Sequence, residues 1–252
     1  MRVLDHPLIA ERYFFPRPDR LTAPTPVTCR DGAVLQCYHH HTAESAPTLV
    51  HFHGNGEVAA DYVPDYVEAL ASLGLNVFLA EYRGYGGSGG SPCLGQLLDD
   101  VADVRAHLGL PGTRTLVYGR SVGSMMAIEW AALDPGLAGL VLESGIADPL
   151  ERIRLRVHPS ELGPELEEAV AERLDHQQKL GSFPGRLLVL HAAGDDLVEP
   201  SHARRNHAWA AGPKRLVIFE RGNHNTIMGA NWKAYLETLA EFVSAFQAGQ
   251  AL

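Results

Sequence analysis

A serine lies between two glycines at residues 119–123, which read GRSVG. The stretch before it, TRTLVYG (113–119), has the β-branched and aromatic residues of a strand, and the helix-forming run SMMAIEWAA follows it. Where a strand turns sharply into a helix, the residue at the turn is exposed, and glycines two positions away relieve the crowding there. Ser121 is therefore a candidate nucleophile. A helix N-cap would also account for the serine, but not for both glycines.

A second serine, Ser88, fits the same pattern in GGSGG (86–90). Its surroundings, YRGYGGSGGSP (82–92), are rich in glycine and lead into no immediate helix, which is typical of a flexible loop. The loop also lacks the Lys-Ser/Thr ending of a phosphate-binding P-loop. We therefore favour Ser121 over Ser88 as the nucleophile.

A serine nucleophile needs a base to take its proton and an acid to orient that base. Asp195 and Asp196 follow the apolar run RLLVLHA (186–192), and His224 follows KRLVIFE (214–220). Both positions come where predicted strands end, and open α/β sheets build their sites at those ends. The order serine, acid, histidine is also the order in which such triads occur along chains with this kind of sheet. The spacing alone leaves the choice between Asp195 and Asp196 open.

The elements that would position these side chains alternate from residue 48 onward. Short apolar runs typical of buried strands are separated by segments with three- and four-residue apolar spacing, which predicts amphipathic helices. Upstream, Asp31-Gly32 lies inside the alternating stretch 27–40 and predicts a hairpin. The fold class is therefore α/β, a mainly parallel sheet with an N-terminal antiparallel hairpin and helices on both faces. The predicted parallel strands are 48–53, 75–82, 113–119, 137–144, 186–192 and 214–220.

Residues 151–185 break this alternation because they are charge-rich, mostly helical in pattern and longer than a crossover needs. We interpret them as a small helical cap insert over one end of the sheet, within a single domain of residues 1–252, and as a candidate lid. Their Arg152, Arg154 and Arg156 could border an entrance for an acidic substrate, but a solvated helix face is the favoured interpretation.

Composition restricts the partners of the chain. Its 252 residues are 46% hydrophobic and carry a net charge of −9, which argues against nucleic acid or an anionic membrane surface as the main partner. No apolar run approaches the roughly 18 residues of a membrane span, so we expect no integral membrane association. Charges interrupt the first 15 residues, which predicts that they are not a secretory signal. Three cysteines without metal-type spacing fit a reducing, cytoplasmic location.

Four motifs resemble those of the α/β-hydrolase superfamily, and the resemblance extends over nearly the whole chain from about residue 27. They are HFHGNGE (51–57), EYRGYGGSGGSP (81–92), GRSVG (119–123), and the pair formed by GDDLVEP (194–200) with GNHN (222–225). The chain is most similar to the branch that contains monoglyceride-lipase-like enzymes, serine-aminopeptidase-like enzymes and depalmitoylating thioesterases. The resemblance implies an α/β-hydrolase fold.

The acid motif of that branch, Asp-x-x-Val, matches the segment from Asp195 to Val198 and implies that Asp195 is the acid. The motif departs from the usual pattern, because Ala192 replaces the glycine after the histidine and Glu199 precedes the proline. Asp196 therefore stays a second choice. In some members the acid follows the preceding strand, and the corresponding candidates are Glu143 and Asp148.

The motif HFHGNGE lies after the first parallel strand, where the superfamily has its oxyanion loop. The resemblance implies that the backbone N–H groups of Asn55 and Val122 bind the substrate oxygen when it becomes negatively charged. A plain glycine-rich turn is the alternative for residues 54–56.

The predicted function is a serine hydrolase in which Ser121 attacks an acyl carbonyl and His224 moves the proton. The expected substrate is a small-molecule carboxylic ester, with an acyl thioester or a small-peptide amide as alternatives on the same triad. A non-catalytic binding protein on this scaffold is a further alternative. No cofactor is implied. His51 and His53 raise the possibility of a metal-dependent hydrolase, but no series of nearby ligands completes a site, so we expect no metal ion.

Overall fold

The candidate residues lie on an eight-stranded sheet in a computed structural model that describes residues 2–247. Its strand order is β1-β2-β4-β3-β5-β6-β7-β8. The pairs β1–β2 and β2–β4 are antiparallel, and every other pair in the sheet is parallel. The predicted mainly parallel sheet with an antiparallel N-terminal hairpin is confirmed. The strands are β1 (Thr25–Thr28), β2 (Val34–His40), β3 (Thr48–Phe52), β4 (Asn76–Ala80), β5 (Thr115–Arg120), β6 (Gly139–Glu143), β7 (Arg186–Ala192) and β8 (Lys214–Phe219).

The hairpin turn falls at the predicted Asp31-Gly32 step. Gly32 has a φ of +88°, in the left-handed region that glycine adopts without a steric cost. Oδ1 of Asp31 accepts a hydrogen bond of 3.1 Å from the N–H of Ala33, which closes the turn locally. The strands on either side then pair with Thr28 opposite Val34.

Helices follow most of the parallel strands, and several begin or end at residues with a clear capping role. One of these helices, Leu94–Leu108, ends at Gly109, whose φ is +58°. Among residues 2–247, no helix combines the length and apolar character needed to cross a bilayer. The helices are α1 (Pro7–Tyr13), α2 (Asp65–Ser72), α3 (Leu94–Leu108), α4 (Gly123–Leu133), α5 (Pro149–Arg154), α6 (Pro159–Leu162), α7 (Glu165–Arg173), α8 (His176–Gly181), α9 (Pro200–Trp209), α10 (Ile227–Ala230) and α11 (Trp232–Gln247).

Two apolar layers enclose the sheet because successive strand residues face opposite sides. On β5, Val117 belongs to the layer that contains α3, α4 and α9, whereas Tyr118 belongs to the layer that contains α2 and α11. Helix α4 is buried at every position from Gly123 to Ala131, as expected for a helix enclosed on all sides. The turn between β5 and α4 is therefore held by packing from both sides.

The segment predicted as a cap forms the four short helices α5 to α8 between β6 and β7. Their apolar side chains join the same core as α3 and α4, so the segment is packed onto the sheet rather than separate from it. The buried residues of the segment include Ile153, Val157, Leu166, Val170 and Leu180.

Candidate active site

Ser121 occupies the turn where β5 becomes α4, and its φ of +51° is in the left-handed region. A non-glycine residue is strained there, and it is held by an N–H bond of 2.9 Å to the carbonyl of Glu143 on the next strand. The two flanking glycines are required by close packing. A Cβ at Gly119 would lie 2.5 Å from the carbonyl oxygen of Gly123, and a Cβ at Gly123 would lie 2.1 Å from that of Phe52. The GRSVG pattern thus follows from the geometry of the turn.

The structure brings Ser121, His224 and Asp195 into one hydrogen-bonded line. Nε2 of His224 lies 2.9 Å from Oγ of Ser121, and Nδ1 of the same ring lies 2.8 Å from Oδ2 of Asp195. The three side chains come from the ends of β5, β7 and β8, which are parallel and end at the same edge of the sheet. Asp195 is 4% exposed, His224 is 5% exposed and Ser121 is 9% exposed, so the line is shielded from bulk water except at the serine.

Asp195 is arranged to stay ionised despite its burial. Burial alone would raise the pKa of this carboxyl group. The hydrogen bond from His224, the positive charge of a protonated His224 and the hydrogen bond from the N–H of Val198 together lower the pKa below its ordinary value. Oδ1 accepts the N–H groups of Leu197 at 3.1 Å and Val198 at 2.8 Å, which fixes the carboxylate plane. A carboxylate held in this way orients the imidazole and stabilises its charged form.

The other acids considered from the sequence have different partners. Asp196 is exposed at the surface of its loop. Oδ1 of Asp148 accepts the N–H of Glu151 at 2.9 Å and caps the start of α5. Glu143 is fully buried and receives hydrogen bonds from Tyr118, Tyr235 and Arg120. Asp195 is therefore the acid that contacts His224.

Ser88 lies in the loop between β4 and α3, away from the cavity that Ser121 borders. Its Oγ accepts the N–H of Gln36 on β2 at 2.9 Å, and its own N–H bonds the carbonyl of Tyr85 at 2.7 Å. These contacts tie the glycine-rich loop to the edge of the sheet and give the hydroxyl a structural role.

Asn55 and Val122, whose backbone N–H groups are the predicted oxyanion donors, line the same cavity as Ser121. Within residues 2–247, neither group donates to a backbone carbonyl. The side chain of Asn55 is anchored instead, because its Oδ1 accepts from the N–H of Phe15 at 3.0 Å and from the hydroxyl of Tyr85 at 2.9 Å. The side chain of Asn55 thus holds the loop in place and leaves the backbone N–H of Asn55 available to a ligand. Val122 directly precedes α4, where the positive end of the helix dipole favours a negative charge.

Comparison with known proteins agrees with the fold. Residues 43–158 match the family model described as "Serine aminopeptidase, S33". The uncharacterized protein YfhR of Escherichia coli strain K12 is 25% identical over 256 residues, which cover 94% of this chain and 88% of YfhR. The esterase EaEST from Exiguobacterium antarcticum superposes with a TM-score of 0.67 and 20% identity, covering 88% of this chain and 99% of the esterase. The chain therefore has the α/β-hydrolase fold. A monoacylglycerol lipase from Paleococcus ferrophilus has the same fold, with a TM-score of 0.67, 17% identity and coverage of 84% and 99%.

Arg120 is a residue of this candidate site that the sequence analysis missed. It directly precedes the nucleophile, and its Nη2 donates to the carbonyl oxygen of His224 at 2.7 Å. Burial alone would lower the pKa of Arg120, but Glu143 at 3.0 Å and Glu57 at 2.5 Å raise it, so the guanidinium keeps its charge. This buried group links the loop of the histidine to the strand of the serine. A charged residue inside an otherwise apolar strand is the signal that could have identified it.

The two histidines of HFHGNGE belong to the packing of the α/β-hydrolase sheet. Nδ1 of His51 lies 3.0 Å from the hydroxyl of Tyr66, and its ring stacks on Tyr118 at 4.6 Å between centroids. Nε2 of His53 lies 2.7 Å from Oε1 of Glu81. The two imidazoles thus have separate buried partners.

A cavity of about 270 Å³ opens above Ser121. The cap contributes to it, because Arg152 and Arg156 lie on its wall, whereas Arg154 pairs with Glu167 on α7. Arg154 and Arg156 are exposed, as a solvated face implies, and Arg152 is partly buried. The lining residues are Tyr13, Phe15, Asn55, Arg120, Ser121, Val122, Ile146, Arg152, Arg156, Leu197, Val198, His224 and Asn225.

Proposed function

We propose that this protein is a serine hydrolase that cleaves small-molecule acyl esters, most simply a carboxylesterase. The observation that carries the proposal is the unbroken line from Asp195 through His224 to Ser121, which ends at an open cavity. A non-catalytic binding protein on this scaffold has no need of a nucleophile, base and acid aligned within hydrogen-bond distance.

In the proposed mechanism, Oγ of Ser121 attacks the acyl carbonyl while Nε2 of His224 takes its proton. Asp195 holds the imidazole with its Nδ1 proton inward and stabilises the imidazolium that forms. The N–H groups of Asn55 and Val122 bind the oxyanion, and the loss of one such donor from a serine protease costs about 2.7–4 kcal/mol. His224 then protonates the leaving alcohol, and water releases the acyl group by the same steps in reverse.

The charges around the cavity favour an ester over a peptide with a free amino terminus. A substrate ammonium group would need a carboxylate to bind it, yet within residues 2–247 the cavity lining contains arginines and no aspartate or glutamate. The esterase and the lipase of the same fold are consistent with ester chemistry. A thioester would use the same machinery and is the second candidate substrate. We propose a cytoplasmic location, and a role for residues 151–185 as the wall or lid of the cavity.

The proposal is tested by the hydrolysis of short-chain esters and thioesters by the wild type, Ser121→Ala and Ser88→Ala. We expect Ser121→Ala to lower kcat by at least about a thousandfold, because the covalent route is lost. His224→Ala should have a comparable effect. Ser88→Ala is the matched control and should keep activity, since Ser88 only supports its loop. Activity that persists in Ser121→Ala, with all variants folded by circular dichroism, would overturn the proposal.

A further inference from the structure

Two guanidinium groups border the cavity above Ser121 without an ion-pair partner in the part of the chain that the structure describes. Nε of Arg152 is buried and forms no hydrogen bond there. Arg156 is exposed, and its Cζ lies 5.3 Å from the ring centroid of Phe15, which holds the side chain beside the cavity. Both arginines line the same cavity as the nucleophile.

Among the described residues no carboxylate forms an ion pair with these two groups, and three carboxylates of the cap pair with other arginines. Glu151 pairs with Arg205 at 3.2 Å, Glu161 pairs with Arg12 at 2.8 Å, and Glu167 pairs with Arg154. Arg120, the third arginine of the cavity, is itself neutralised by Glu57 and Glu143. Arg152 and Arg156 therefore supply a net positive charge at one wall of the cavity.

This local charge is opposite in sign to that of the whole chain, whose net charge is −9. A partly buried guanidinium without an ion-pair partner is costly, because it loses hydration and gains no opposite charge in return. A bound anion removes that cost, and a planar carboxylate suits the paired N–H donors of arginine. Burial also raises the pKa of Tyr13 to about 12, although both arginines act in the opposite direction, so its hydroxyl in the same wall stays a neutral donor.

We propose that the physiological substrate is a short acyl ester that carries a free carboxylate, and that Arg152 and Arg156 bind this carboxylate. The inference rests on the proposed serine hydrolase function and names the substrate class of that site. The bound carboxylate does not react. Hydrolysis uses one water, breaks the acyl C–O bond and releases an alcohol and a second carboxylic acid.

The size of the cavity limits the length of such a substrate. Its volume of about 270 Å³ is slightly below the range of roughly 300–1,000 Å³ that ligand pockets occupy. A long acyl chain does not fit inside it, whereas a hemiester with a few carbons between its two carbonyl groups does.

Two pairs of esters test the proposal, each pair matched in shape and different in charge. Monomethyl glutarate is compared with methyl 5-methylhexanoate, in which an isopropyl group replaces the carboxylate of the acyl part. 3-Acetoxypropanoate, which carries its carboxylate in the alcohol part, is compared with 3-methylbutyl acetate, in which an isopropyl group replaces that carboxylate. We expect the wild type to prefer the anion of at least one pair by about tenfold or more in kcat/KM.

Substitutions of the arginines should remove this preference. Arg152→Gln and Arg156→Glu are each expected to lower the ratio of kcat/KM for the anion over its isostere by about tenfold or more. Arg156 is exposed, so its variant should fold even if Arg152→Gln does not. Arg154→Gln is the matched control, because this arginine belongs to the same helix but pairs with Glu167 outside the cavity. Added salt should weaken the preference of the wild type and of Arg154→Gln.

The outcomes separate the substrate class from the hydrolase function. Hydrolysis of the neutral esters without any preference for the anions would overturn the carboxylate proposal and leave the serine hydrolase in place. An anion preference that survives in both Arg152→Gln and Arg156→Glu would also overturn it. Failure to hydrolyse any of the four esters, with no labelling of Ser121 by a fluorophosphonate, would overturn both proposals.

Discussion

Replacing Asp195 with asparagine should abolish the proposed ester hydrolysis by reversing the direction of a single hydrogen bond. Oδ1 of Asp195 already accepts two backbone N–H groups, so the amide oxygen of an asparagine would keep that place and its NH₂ group would face His224. The ring nitrogen now 2.8 Å from Oδ2 would then have to accept a hydrogen bond instead of donating one. The imidazole would carry its proton on Nε2, which is the atom 2.9 Å from Ser121, and could no longer act as a base.

The expected loss is about 10⁴-fold in kcat, equivalent to about 5.5 kcal/mol of transition-state stabilisation, as for the same change in serine proteases. It is measured as steady-state hydrolysis of a short-chain ester, with thermal unfolding to confirm that the fold is intact. Asp196→Asn is the control, because this exposed neighbour should change kcat by less than about twofold. A small effect of Asp195→Asn, or a large effect of Asp196→Asn, would refute the assignment of the acid.

Two further predictions concern stability. Gly123→Ala should lower the free energy of unfolding in urea by about 3 kcal/mol or prevent folding, because the new Cβ would lie 2.1 Å from the carbonyl oxygen of Phe52. Gly229→Ala, where nothing lies within 4 Å, should leave stability unchanged or slightly higher, and equal effects would contradict the packing argument. Burial lowers the pKa of His176 to about 4, against 6.5 in the unfolded chain, so the unfolded state takes up a proton first and stability falls as the pH drops from 6.5 towards 4. The loss in the free energy of unfolding approaches about 3 kcal/mol. In His176→Gln, the free energy of unfolding in urea should depend less on pH over this range. An unchanged pH dependence would contradict this role of His176.

The strands and the turn at Ser121 could be predicted because their signals are local. Apolar runs, the Asp31-Gly32 turn and the glycines around Ser121 each act within a few residues, and β7 begins and ends where the sequence indicated. The helical segment after β3 was less regular than its spacing implied. It divides into a short 3₁₀ turn at Ala59–Tyr62 and α2, with Pro64 between them.

Contacts between distant segments could not be predicted from local patterns. Arg120 contacts Glu57 and Glu143 only when β3, β5 and β6 have paired, and no residue spacing in the sequence predicts these contacts. The same holds for the cap, because the direction of Arg152 and Arg156 depends on how α5 packs over the sheet. The grouping of serine, acid and histidine could be predicted because each follows the end of a strand, and parallel strands bring those ends to one edge of the sheet.

The most direct test of the account is to identify the residue that reacts with a fluorophosphonate. Digestion with trypsin after Arg120 should release a peptide that begins at Ser121, and fragmentation mass spectrometry can distinguish an adduct on this residue from one on Ser124. We predict a single adduct on Ser121 in the wild type, none in Ser121→Ala and strongly reduced labelling in His224→Ala. An adduct on Ser88 or Ser124, or undiminished labelling without His224, would contradict the proposed catalytic triad.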